Sequence, residues 1–294
     1  MGETDFPAGA EAKTVAGGVD GFTVARGSDG GAGDVGYGGV RTGRVALRRP
    51  DPRIAQVIAD ALGGARRVVN VGAGAGSYES AAPAVTAVEP SESMRARRST
   101  GLPRAVDAVA ENLPFADGEF DGAMTLFSVH QWSDVGGGLR EMRRVTRGPV
   151  TVLTCDPDRV RDFWLYEYAP EVLDTEARRY PAIGMMARAL GGTVSVRAVP
   201  IPLDCTDGFN EAYYGRPEML LDPAARQACS AWSFVDDGVR ERFTGRLRAD
   251  LDSGVWDARF GHLRGRPQYE GSLVLVRATP HGARGTEGLH HGAA

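Results

Sequence analysis

Three glycines, a glutamate and a histidine are the residues of this chain whose types and spacing best suit chemistry. Gly72, Gly74 and Gly76 follow the apolar run Val68-Val69-Asn70-Val71. Glycine is required where a chain turns sharply and where backbone must approach a ligand. A helix start beyond such a turn adds unpaired N–H groups and a positive dipole end. The GxGxG spacing, with Ser77 where a dinucleotide loop carries its third glycine, points to a nucleotide-like ligand, and no P-loop lysine follows, which excludes a Walker-type triphosphatase. Glu89 ends the next apolar run, where a carboxylate accepts both hydroxyls of a ribose diol and repels a 2′-phosphate. His130 lies in Ser128-Val129-His130-Gln131-Trp132-Ser133-Asp134. Imidazole ordinarily titrates near neutrality, so His130 suits proton abstraction from a substrate nucleophile, or the orientation of a substrate.

The elements that must position these residues follow from pattern. Asp51 and Pro52 are an N-cap and a first helical residue, and Ile54, Val57, Ile58, Ala61 and Leu62 recur at helical spacing until Gly63-Gly64 stops them. Strands are predicted at 67–71, 85–88, 104–108, 120–128 and 149–154, with a short helix cut by Pro83 after the glycine loop. Further helices are predicted from Ser91 and over about 135–146. Strands alternating with helices predict parallel pairing through right-handed crossovers, hence an α/β doubly wound sheet. Beyond Asp156 the rhythm changes to helical stretches at 157–192 and 206–260, a strand at 193–200 and a last strand at 269–278.

Composition bounds the partners. Among 294 residues, 42% are hydrophobic and 24% charged, an ordinary globular balance, and the net charge of −4 argues against a general nucleic-acid binder. Cys155, Cys205 and Cys229 form no CxxC pair, so reduced thiols in a cytoplasmic protein are expected. No run has the apolar length of a membrane span and no basic-then-apolar signal opens the chain. His262 reads as structural, His290-His291 lack partners for a metal, and no metal site is expected.

The segment Ala110-Glu111-Asn112-Leu113-Pro114-Phe115-Ala116-Asp117-Gly118-Glu119-Phe120-Asp121 completes an ordered set. GxGxG, an acidic residue at the second strand end, then LPF-x-D-x-x-FD resembles the class I S-adenosylmethionine-dependent methyltransferases, and within them the small-molecule group called methyltransferase type 11. The resemblance covers about residues 50–155 and extends to Glu141-Met142-Arg143-Arg144-Val145, which is similar to that family's E-x-x-R-V-L. It implies a Rossmann-like, mostly parallel seven-stranded sheet with a helical cap inserted after the fifth strand. It also implies S-adenosyl-L-methionine as cofactor, with S-adenosyl-L-homocysteine as product.

The roles it implies run as follows. Gly72, Ala73, Gly74 and Gly76 pass under the methionine and ribose portions, and Glu89 holds the ribose hydroxyls. Pro90, Ser91 and Met94 pack by the adenine, Ala110, Glu111 and Asn112 bracket its edge, and Leu126, Phe127 and Ser128 face the methionyl part. Three places depart from the pattern, one of them Arg147-Gly148-Pro149, which stands for the family's Pro-Gly-Gly turn before the fifth strand and is expected to be neutral. Asn70 stands where the family carries an acidic residue for the ammonium, and Val109 where many members carry Asp, so that Glu111 or Asp107 is the expected substitute.

Methyl transfer from a sulfonium chiefly requires in-line alignment and exclusion of water, so a base is optional. His130 is the candidate catalytic residue. Trp132, Trp164, Tyr166, Tyr168 and Tyr213 are candidate acceptor contacts beside it, amid cap aromatics that otherwise read as core. Asp204 and Asp207 sit in a turn that reads as a cap, with amine binding as the other role.

The expected organisation is a Gly-rich flexible leader over 1–43, with Tyr37 onward able to order over the cofactor; a cofactor-binding core over 44–156; a substrate cap with the last two strands over 157–280; and a disordered tail over 281–294. The expected function is methylation of a small molecule, aromatic or heterocyclic, an indole or cyclic-dipeptide alkaloid being one case, in secondary metabolism. The expected state is a monomer or homodimer without nucleic acid or membrane. The competing readings are a nicotinamide oxidoreductase, which the GxGxG spacing and Lys13 as sole lysine oppose, and a non-catalytic cofactor-fold scaffold.

Overall fold

The computed structural model describes residues 47–79 and 83–280. The expectations placed on the leader, on Tyr37 and on the tail lie outside the described residues.

The first helix, α1 (Pro52–Leu62), begins where Asp51 accepts a hydrogen bond from the Arg53 N–H at 2.9 Å, and it buries Ile54, Ile58, Ala61 and Leu62. Truncating Ile54, which is fully buried, to Ala would cost about 2–5 kcal/mol. Next come β1 (Arg67–Val71), β2 (Ala84–Val88), the short α2 (Glu92–Ala96), β3 (Gly122–Leu126), α3 (Val135–Arg144) and β4 (Val150–Cys155). The helices α4 (Pro170–Arg179) and α5 (Ile183–Leu190) lead to β5 (Thr193–Ala198). The remainder holds β6 (Ile201–Pro202), α6 (Pro223–Gln227), α7 (Asp237–Asp252), α8 (Val255–Phe260), β7 (Gln268–Tyr269) and β8 (Leu273–Thr279).

The main sheet has the order β2-β1-β3-β4-β8-β5, parallel from β2 to β4, with β8 antiparallel to both of its neighbours. This is the expected doubly wound, mostly parallel sheet. It has six strands, and the strand expected at 104–108 is a single parallel bridge from Val106 to Val88. Proline at 103 and the charges at Arg104 and Asp107 leave too few apolar residues there to extend the ladder.

The core lies on both faces of the sheet. One face packs α1 and the cap against Val68 and Met124, and the other packs Leu139 and Met142 of α3 and Met186 and Leu190 of α5 against Val69 and Val71. The strand order turns back between β1 and β3, so their carboxyl ends flank the crevice in which such sheets bind ligands. The short helix expected after the glycine loop is not formed over the described residues, which make consecutive turns at 74–78. The cap comes in two pieces, one between β4 and β5 and a larger one between β5 and β8, and much of it is 3₁₀ turn rather than α-helix.

Candidate active site

The glycine loop departs from β1 with three left-handed residues, Gly72 (φ 71°), Gly74 (φ 54°) and Gly76 (φ 94°). A Cβ on Gly72 would fall 1.8 Å from the Ser128 Oγ, and one on Gly76 would fall 2.3 Å from Leu102. The loop is thus glycine for conformation and for space together. Its backbone is held in place from β2, because the Gly72 and Ala73 N–H groups both donate to the Val88 carbonyl at 2.9 Å.

Glu89 stands at the end of β2, 7% exposed. Its Oε2 accepts the Gly74 N–H at 2.7 Å and its Oε1 accepts the Ser91 N–H at 2.8 Å. Burial raises its carboxyl above the ordinary range, and these two N–H groups oppose the rise. The carboxylate therefore ties the loop to the start of α2, where Ser91 caps the helix by accepting from the Met94 N–H. Met94 reaches back under the loop, its Cε 3.2 Å from the place of a Gly74 Cβ.

Asn70 points into a buried pocket behind the loop. Its Nδ2 donates to Glu79 Oε1 at 2.9 Å, and Glu79 is paired with Arg98 at 2.5 Å, their side chains being 1% and 4% exposed. Sequence reasoning passed over Glu79 and Arg98. The available signal was Tyr78-Glu79 directly behind the loop, with a carboxylate too near the strand end to be a solvated surface charge.

The end of β3 forms the opposite wall. Phe127 takes a positive φ of 54°, a strained state for an aromatic residue. Ser128 Oγ accepts from the Trp132 indole at 3.1 Å, and Trp132 packs over Gly138, where a Cβ would lie 2.6 Å from the ring. The His130 ring meets the Tyr180 ring edge-on at a centroid distance of 4.9 Å.

Comparison with known proteins bears on this arrangement. Residues 69–151, from β1 into β4, match the family described as methyltransferase domain. A crystal structure described as a methyltransferase from an antibiotic biosynthesis pathway of Anabaena variabilis superimposes with a TM-score of 0.73 at 28% identity, covering 80% of this chain and 99% of that one. Residues 69–151 carry a methyltransferase domain. The YafE protein of Escherichia coli (strain K12) is 43% identical over 60 residues, which is 19% of this chain and 29% of that protein. That likeness therefore spans less than a third of the relative's length.

Within the methyltransferase domain, the LPF segment proves to be a clamp. Arg144 of α3 donates to the Leu113 and Phe115 carbonyls at 3.0 and 2.9 Å and pairs with Asp117 and Glu141, while Glu141 accepts the Leu113 N–H. Phe120 is buried against Phe115, ring edge to face at 4.9 Å. Ala110 is buried beneath the Trp132 side of Gly138, and the Asn112 N–H closes a turn on the Val109 carbonyl at 3.2 Å. Glu111 accepts from the Ser133 hydroxyl and the Asp134 N–H at 2.8 and 2.9 Å, while Asp107 pairs with Arg95 at the surface. Pro90 and Leu126 lie half-buried at the ends of β2 and β3.

A buried carboxylate of the cap, Asp207, reaches the glycine loop. Asp207, 2% exposed, accepts from Arg48 Nε at 2.5 Å and from the Tyr78 hydroxyl at 2.8 Å, so it joins the cap to the glycine loop. Arg48 also lies over the Phe127 ring at 5.3 Å. Asp204 instead pairs with Arg53 on the surface. At the end of β4, where the sheet meets the cap, burial pushes both the Cys155 thiol and the Tyr180 phenol up. Glu176 accepts from Asn210 Nδ2 at 2.8 Å, and burial followed by the charge of Glu211 pushes it up to about 7. Glu211 accepts the Ser272 N–H on both oxygens, at 2.9 and 3.0 Å, and burial pushes it up to about 7 as well.

The aromatic candidates separate. Trp164 and Tyr168 lie inside the cap's own core, the Trp164 indole donating to the Tyr214 carbonyl at 3.0 Å and the Tyr168 hydroxyl to Asp250 at 2.8 Å. Trp164 meets Tyr168 and Trp256 edge-on, so apolar packing occupies both residues. Tyr166 packs half-buried on the same cluster. Tyr213 is buried with its hydroxyl 2.3 Å from the place of a Gly208 Cβ, beside Asp207. Among the described residues no group of three or more His, Cys, Asp or Glu side chains is placed to hold a metal, and no helix is long and apolar enough to cross a membrane.

Proposed function

We propose that this chain transfers the methyl group of S-adenosyl-L-methionine to a small-molecule acceptor, releasing S-adenosyl-L-homocysteine. The observation that carries the reading is the glycine cradle joined to Glu89, in which a buried carboxylate and three left-handed glycines line one crevice end. The residues suit the donor's parts. Glu89 retains acceptor capacity for a ribose diol after its two backbone bonds. The side chains of Met94 and Ala110 offer apolar surface to the adenine, and the orphaned Asn70 Oδ1 offers an acceptor to a donor group. When bound, the cofactor supplies an electrophilic methyl with a neutral thioether as leaving group.

The protein's own task is to align the acceptor and to take its proton. Ser128 and Trp132 hold the β3 end close under the loop, and the contact of His130 with Tyr180 of the cap supports an acceptor seated between sheet and cap. We assign His130 as the residue that orients or deprotonates the acceptor nucleophile, with Trp132 and Tyr213 as flanking contacts. Tyr180, Cys155 and Glu176 extend this polar track into an otherwise aromatic cap. This favours an aromatic or heterocyclic acceptor carrying one ionisable group. The Anabaena relative's description supports a place in secondary metabolism. The three free, buried cysteines fit a reducing cytoplasm, and the acidic net charge fits a small-molecule acceptor, met by a monomer or homodimer.

Isothermal titration with S-adenosyl-L-homocysteine and with NADH tests the reading. Micromolar binding of the first with none of the second is expected, and the reverse refutes it. Transfer of labelled methyl to a panel of phenols, indoles and cyclic dipeptides then tests the acceptor class, and binding without any turnover would support a scaffold instead.

A further inference from the structure

Arg48 is held at the carboxyl edge of the sheet by its own partner, with the tip of its fork uncommitted. Its backbone forms an antiparallel bridge with Asp207 of the cap, closed by the Arg49 N–H on the Thr206 carbonyl at 3.4 Å and the Gly208 N–H on the Leu47 carbonyl at 2.8 Å. Its side chain then returns to the same residue, Nε donating to Asp207 Oδ1 at 2.5 Å. Asp207 is fixed from the other side by the Tyr78 hydroxyl, which donates to Oδ2 at 2.8 Å and accepts the Asp51 N–H at 3.3 Å. The two Nη groups of Arg48 make no hydrogen bond among the described residues.

The pair is asymmetric. The Asp207 side chain is 3% exposed and that of Arg48 26%, so the carboxylate is sealed while the guanidinium stays accessible. The guanidinium carbon lies 5.3 Å from the centre of the Phe127 ring, just past the carboxyl end of β3, and Phe127 meets Phe209 of the cap at 5.7 Å. An accessible cation and an aromatic pair thus share the edge between sheet and cap. Arginine keeps its charge at any working pH, and its planar fork matches the two oxygens of a carboxylate. A free arginine loses rotamer freedom when it grips a ligand. Here the backbone bridge, Asp207 and the Phe127 ring have already removed that freedom, which is preorganisation for binding.

We infer that Arg48 is a specificity-determining residue that binds a carboxylate carried by the acceptor, with Asp207 and Tyr78 as positioning residues behind it. The inference rests on the methyl-donor reading above, and it gives a sign to the acceptor's ionisable group. Arg48 is hung from the cap, which forms the acceptor's wall in that reading, and Phe127 and Phe209 offer ring surface beside it. The acceptor class is therefore an aromatic carboxylate, anchored by its anion so that a separate nucleophile is presented for methylation.

The test is calorimetry on the full chain saturated with S-adenosyl-L-homocysteine, using matched acids and primary amides: indole-3-propionate with indole-3-propionamide, and 3-phenylpropionate with 3-phenylpropionamide. In wild type at least one acid should bind about tenfold or more tighter than its amide. Arg48→Met should weaken that acid about 10- to 100-fold, the range for charge-assisted hydrogen bonds, and leave the amide within about threefold. Because R48M strands the buried Asp207 charge, R48M/D207N is the second variant; it removes both charges, keeps an acceptor for the Tyr78 hydroxyl and should show the same loss. The wild-type comparison stands whether or not the variants fold. Acids and amides that bind alike in wild type, acids that do not bind at all, or an R48M/D207N variant that keeps the acid's affinity overturn the inference. S-adenosyl-L-homocysteine carries a carboxylate of its own, so a tenfold loss of its affinity in R48M/D207N, with the acids unaffected, assigns Arg48 to the donor's tail and overturns the acceptor role. Wild-type protein that does not bind S-adenosyl-L-homocysteine overturns the methyl-donor reading and the inference with it; wild type that binds it without preferring the acids overturns the inference only.

Discussion

Glu89→Gln is the substitution with the most calculable outcome, because both oxygens of the native carboxylate have known partners. Oε2 accepts from the Gly74 N–H at 2.7 Å and Oε1 from the Ser91 N–H at 2.8 Å. Glutamine has one oxygen, so its NH₂ group must face one of those two donors and leave it without an acceptor. An orphaned buried donor costs about 1–3 kcal/mol. Burial raises the native carboxyl, so removing a desolvated charge offsets part of the loss, and the lower half of that range is expected. At roughly 2–4 °C per kcal/mol for a domain of this size, the melting temperature should fall by about 2–8 °C. A ribose diol bonded to the carboxylate loses charge-assisted partners as well, so the affinity for S-adenosyl-L-homocysteine should drop about 10- to 100-fold. Thermal melts with and without S-adenosyl-L-homocysteine separate the two effects, since the ligand-induced rise shrinks only if binding is weakened. A variant that melts within about 1 °C of wild type and is stabilised equally by the ligand would refute the role given to Glu89.

Three other expectations are as specific. Glu176 and Glu211 are both pushed up to about 7 from an ordinary 4.5, so the folded protein holds protons that the unfolded chain releases. Their contribution is fully present below about 4.5 and is lost as pH rises through about 7; the melting temperature should therefore fall between about pH 4.5 and 7 and level off above that, and E176Q should flatten the fall. His130→Ala should lower kcat roughly 10²-fold if the imidazole takes the acceptor's proton, with the acid limb of the pH–rate profile abolished. A loss independent of pH would assign it to orientation alone. Asp207→Asn leaves the half-shielded Arg48 cation without its counter-charge and should cost roughly 2–3 kcal/mol, read as a lower midpoint in urea denaturation.

What was legible in the sequence was local. The β1 run, the glycines behind it, the Asp51 and Ser91 caps and the acid ending β2 all depend on neighbours within a few positions, where spacing carries the information. The Arg144 clamp was visible as a motif, though not as a grip on carbonyl oxygens. Asp207 meets Arg48 across 159 positions, and no periodicity announces such a partner. Val106 shows the converse, since one apolar pair does not make a ladder when prolines and charges flank it. In the cap, aromatic content was easy to read and its use was not: Trp164 and Tyr168 turn inward because their polar atoms find Tyr214 and Asp250.

The placement of Leu47 and Thr279 decides where this protein can be handled. The Leu47 carbonyl accepts the Gly208 N–H at 2.8 Å, next to Asp207 and the Arg48 that overlies Phe127, so the backbone at Leu47 is tethered at the mouth of the crevice. Strand β8 runs the other way, with Ala278 opposite Val150 at the start of β4, so Thr279 stands at the far edge of the sheet. A reporter attached to the side chain of Leu47 therefore sits beside the crevice, whereas one attached to Thr279 sits at the opposite rim. Binding and turnover are best measured on material immobilised from that rim.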